Sequence, residues 1–74
     1  MTKTYTIEIG ESNFHHLIAE LNLIRMKNNR EGFDATARRD RDIAELFIKQ
    51  ALKQGLETDE NGGYGFGGET VTTE

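Results

Sequence analysis

Between Thr4 and Ile9 the chain alternates polar and apolar side chains, with Tyr5, Ile7 and Ile9 on one face and Thr4, Thr6 and Glu8 on the other. A period of two in β-branched and aromatic residues predicts a half-buried strand. Gly10 ends that pattern, and the period then lengthens. Phe14, Leu17, Ile18, Leu21 and Ile24 recur every three or four positions, the stripe of an amphipathic helix, with Ser12 as its expected N-cap. The apolar spacing stops at Met26, so this helix should end between residues 26 and 31, ahead of a C-cap glycine at Gly32. A second helix is secure from Asp42, and either Asp34 or Asp40 can cap its start. Its apolar residues Ile43, Ala44, Leu46, Phe47, Ile48, Ala51 and Leu52 cover more than one face and call for two packing neighbours. Gly55 followed by Leu56 predicts a Schellman ending.

Beyond Leu56 the pattern changes character. Five of the eight glycines fall in Gly62-Gly63-Tyr64-Gly65-Phe66-Gly67-Gly68. Such a stretch buries little by itself and reads as a flexible tail, with an added edge strand over Glu69 to Thr73 as the alternative. The expected organisation is therefore a domain over residues 1–56 and an acidic Gly-rich tail over residues 57–74. Charge follows the same boundary. Residues 1–56 hold all nine bases and eight of the thirteen acids, whereas residues 57–74 hold five acids and no base. The formal net charge of −4 thus conceals a basic stretch over residues 25–41, so it does not by itself decide the class of partner.

At 74 residues, without cysteine or proline, the chain has a thin core and neither a disulfide nor a thiolate zinc site to support it. A partner subunit is the remaining remedy, which predicts a homodimer. No apolar run exceeds three residues, so no membrane span or secretory signal is expected and the compartment is read as cytoplasmic.

Candidate chemistry is sparse. His15 and His16 are adjacent and would point about 100° apart on a helix, so they cannot chelate together. His16 and Glu20 have i,i+4 spacing but lack a third ligand, and no metal or other cofactor is expected. Ser12 is the only serine and is better used as a cap, so no catalytic residue and no enzymatic activity are expected. The glycine cluster is not preceded by a strand and followed by a helix, as a phosphate-binding loop would be. Arg38, Arg39 and Arg41 stand near the start of the second helix, where backbone N–H groups already favour anions, and are candidate phosphate contacts. Tyr64 and Phe66 are candidate anchors of the tail on a protein partner.

The strand, the first amphipathic helix and the second helix from Asp42 to Leu52 together resemble the ribbon-helix-helix family of small dimeric DNA-binding regulators, over residues 3–56. The resemblance implies an α+β fold of one N-terminal strand followed by two helices, intertwined with a second copy. It further implies that Thr4, Thr6 and Glu8, flanked by Lys3, face DNA bases, and that Arg38, Arg39 and Arg41 approach phosphates. Glu8 departs from the basic or amide residue expected there. The function expected on this basis is a DNA-binding transcriptional regulator, with an antitoxin-like tail that binds a protein partner. The alternative is a small non-enzymatic inhibitor or adaptor, of the kind phages encode against host proteins, that binds protein and not DNA.

Overall fold

In the computed structural model, which describes residues 2–60 and 62–73, two helices of 20 residues each account for most of the chain. Helix α1 spans Glu11–Arg30 and helix α2 spans Asp34–Lys53. Helix α1 starts one residue before the expected cap: Gly10 occupies the N-cap position in an extended conformation, and its carbonyl accepts from Phe14 N–H at 2.9 Å. Ser12 therefore lies inside the first turn. At the other end Gly32, at φ 86°, lets Phe33 N–H reach the Asn28 carbonyl at 2.8 Å, closing a Schellman motif. The Phe33 carbonyl then accepts from Ala37 N–H at 2.9 Å, so the chain enters α2 at once, from Asp34 rather than Asp40. A link this short brings the helices back against each other as an antiparallel pair. The second Schellman ending forms as expected, with Gly55 at φ 104° and Leu56 N–H donating to the Ala51 carbonyl at 3.0 Å.

The expected N-terminal strand does not form. Residues 2–9 form neither helix nor strand, only Gly10 having a defined extended conformation, and no hydrogen bond among the described residues involves residues 2–9. Tyr5 and Ile7, expected in the core, are each 81% exposed. A strand requires a neighbouring edge, and the segments of the chain that do form strands pair with one another. Those segments are β1 (Tyr64–Phe66) and β2 (Glu69–Val71), within what was expected to be a flexible tail. They form an antiparallel hairpin in the register Tyr64↔Val71, Gly65↔Thr70 and Phe66↔Glu69. Gly67 and Gly68 make its two-residue turn at φ 58° and 84°, the paired positive values that match the twist of a tight hairpin. The order is thus helix, helix, hairpin, and not the strand–helix–helix of an intertwined ribbon-helix-helix dimer.

The hairpin completes the core. Phe66 and Val71 pack with Phe14, Ile18, Ala44 and Ile48, surrounded by half-buried Leu21, Ala51, Leu52, Leu56 and Tyr64. Polar contacts hold it in place. Glu69 forms an ion pair with Arg41 of α2, and the Arg25 guanidinium lies 5.7 Å from the centre of the Phe66 ring. Tyr64 stacks on His15 of α1 with ring planes 8° apart. The two-helix pair therefore has one groove filled by the hairpin.

Candidate functional site

Each helix keeps exposed apolar residues that the hairpin does not cover. On α1, Leu17 and Ile24 lie seven residues apart on one stripe, and on α2 Ile43 and Phe47 lie four apart. All four are exposed by more than a third, and Leu46 beside them by 54%. Phe47 and Ile43 were expected in the core. They miss it because the two neighbours of α2 within the chain, α1 and the hairpin, close over Ala44 and Ile48 and leave the rest of its wide apolar arc uncovered.

At the free ends of the helices this open side deepens into a cleft of about 1010 Å³. Its walls are Phe14 and Leu17 of α1, Phe47, Gln50 and Ala51 of α2, the turn at Gly55 and Leu56, and the N-terminal segment Thr4 to Ile9. Among the described residues, Glu8 and Glu11 are the only charged ones lining it. A contiguous apolar surface of this kind marks an association site more often than an unused face.

The residues singled out from the sequence are scattered by the fold. Lys3, Thr4, Thr6 and Glu8 all lie exposed on the N-terminal segment, without a paired ribbon to present them. Arg38 and Arg39 are exposed in the second turn of α2, whereas Arg41 is half-buried and already paired with Glu69. Phe66 is 5% exposed in the core and so is not free to anchor a partner. Tyr64 faces His15, whose Nδ1 lies 2.7 Å from the phenol oxygen. Burial raises the Tyr64 pKa above the usual phenol value, so the hydroxyl stays protonated and is assigned as the donor to Nδ1. That assignment leaves Nε2 directed at Glu11, 3.8 Å away. Near these groups a smaller cleft of about 300 Å³ is lined by Glu11, His15, Glu57, Asp59 and Tyr64.

His16 and Glu20 approach to 3.8 Å, as their spacing suggests, and no cluster of three or more metal-ligating side chains occurs among the described residues. No described helix is long and apolar enough to cross a membrane. The open side itself was missed in the sequence, although the excess width of the α2 stripe was its signal. No protein-family model matches the chain, and no curated protein or solved structure shows significant similarity to it.

Proposed function

We propose that this protein is a small non-enzymatic binding module that acts by docking its open apolar side onto another protein, in the manner of an inhibitor or adaptor. One observation carries the reading: Leu17 and Ile24 of α1 and Ile43 and Phe47 of α2 are exposed outside the core that the hairpin completes, and Leu17 and Phe47 line a common cleft. Leaving that apolar area in water forgoes roughly 25 cal/mol per Å², which a docking partner recovers. A second copy of the chain is one protein able to do so.

A DNA-binding regulator is the second reading, favoured by exposed Arg38 and Arg39 near the positive end of α2. Two features weigh against it. Glu69 neutralises Arg41, and Glu8 interrupts the polar face of the N-terminal segment with a charge that phosphates repel.

Site-directed photo-crosslinking tests the choice. A benzophenone side chain in place of Leu17 or Ile43 is expected to trap protein in cells that make the chain, and the same group in place of Arg38 is not. The trapped protein, once purified, should bind the wild type and lose at least tenfold in affinity for Phe47→Asp. Crosslinking of DNA from position 38, with no product from positions 17 and 43, would make the regulator the correct reading.

A further inference from the structure

The cleft at the end of the open side has a property that the rest of the apolar face lacks: one wall is the run Thr4 to Ile9, which belongs to no helix or strand and whose side chains alternate polar and apolar. From Thr4 to Ile9 every residue has a backbone N–H and carbonyl without a partner among the described residues, and no proline interrupts them. This is a run of unpaired backbone, in a sequence that alternates as a strand does, bordering an apolar floor made by Phe14, Leu17 and Phe47. Extended partners are recognised by such surfaces through main-chain hydrogen bonds, with every second side chain entering the apolar site. The charge of the lining narrows the chemistry further. Among the described residues, Glu8 and Glu11 are its only charged ones and no base lines it, so this lining is negative.

We propose that the cleft binds an extended segment of a partner protein in which apolar residues alternate with Lys or Arg, adding it as a strand along Thr4 to Ile9. The partner's apolar side chains cover Phe14, Leu17 and Phe47, and its basic side chains meet Glu8 and Glu11. Opposite charges across neighbouring strands stabilise such a pairing, and like charges oppose it. A second copy of this chain is the poorer occupant, because its own Glu8 and Glu11 bring two more carboxylates into a lining without a base. The inference rests on the protein-binding reading above and specifies which partner that surface takes.

Ten-residue peptides alternating valine with lysine, in both registers, are the probe. Peptides alternating valine with glutamate, and a block peptide of the same valine–lysine composition, are the controls. Fluorescence anisotropy should show the alternating valine–lysine peptide binding at least tenfold tighter than either control, with affinity falling as salt rises. Amides of residues 4–9 should gain hydrogen-exchange protection only when it is bound. The double variant Glu8→Gln/Glu11→Gln should lose about fivefold or more in affinity and most of the salt dependence, while Arg38→Ala should change neither. Equal binding of the glutamate or block peptide, no binding in either register, or binding without protection of residues 4–9 overturns the proposal. So does protection of residues 4–9 without peptide in a species sedimenting at twice the chain mass, which would make a second copy the occupant. In each of these cases crosslinking at positions 17 and 43 stays informative: if it persists, only the strand proposal falls, and if it too is absent, the protein-binding reading falls with it.

Discussion

Tyr64 shows how one side chain can serve packing and polarity together. Its ring meets Phe14 edge-on at 6.3 Å and stacks on His15, while its hydroxyl donates to His15 Nδ1. Burial disfavours the phenolate and raises the pKa above 10.0. The sign of the linkage follows from that direction. An acid whose pKa is higher in the folded state stabilises the fold fully below its unfolded pKa, and that stability is lost as pH rises through the folded value. The melting temperature should therefore fall as pH is raised above about 10, and Tyr64→Phe, which has no proton to lose, should show a smaller fall. Thermal melts of both proteins between pH 8 and 11 check this, and parallel profiles would show that the Tyr64 hydroxyl does not couple to folding.

Among the elements, the hairpin has the strictest steric demands. Gly63, just before β1, is buried, and a Cβ there would overlap the Val71 carbonyl and the Thr70 side chain. Asp59 closes the preceding loop, its carboxylate accepting from Gly63 N–H at 3.2 Å. At the turn, a Cβ on Gly67 would come within 2.6 Å of the Arg25 guanidinium, which can shift, whereas a backbone carbonyl cannot do so as cheaply. Gly63→Ala should accordingly cost roughly 1–3 kcal/mol by overpacking. Chemical denaturation measures the loss, and near-ultraviolet dichroism of Tyr64 reports whether the hairpin has left its site. A change below about 0.5 kcal/mol, as for ordinary surface positions, would mean that Gly63 is not held against Val71 and Thr70 of the hairpin.

At the scale of the whole molecule the covered and uncovered sides of the helical pair differ in kind. Ile48 is fully buried beneath the hairpin, while its neighbour Phe47 looks out from the open side at 38% exposure. In the isolated chain Ile48→Ala should cost about 3 kcal/mol, since it removes buried methyl groups and leaves a cavity. Phe47→Ala should cost less, about 1–2 kcal/mol there, because its ring is only partly buried. Once a partner covers the open side, Phe47→Ala should weaken the complex markedly. Denaturation of the free protein and titration of the complex separate these effects. A large loss for Phe47→Ala in the free protein, at concentrations where it sediments as a monomer, would show that the open side is core.

The features of this protein that the sequence determined are the local ones. Both helices and the glycine endings at Gly32 and Gly55 follow from apolar spacing and capping within a few residues, whereas the start of α2, open between Asp34 and Asp40 in the sequence, and hence the short link were decided by the structure. The lost strand and the gained hairpin are different in origin. Tyr5, Ile7 and Ile9 alternate as a strand should, but alternation states only a capacity to pair, and the pairing edge must come from elsewhere. The hairpin had its own signal in Gly67-Gly68 between Tyr64-Gly65-Phe66 and Glu69-Thr70-Val71. Glycine and acid content outweighed that signal, since alone the segment has too little apolar area to fold. What favours its order is the groove formed by Phe14, Ile18, Ala44 and Ile48, a surface that exists only after the two helices have packed and brought together residues some thirty positions apart. The same packing leaves Leu17, Ile24, Ile43 and Phe47 outside, because the helices and the hairpin close over Ala44 and Ile48 and leave the rest of the apolar arc uncovered.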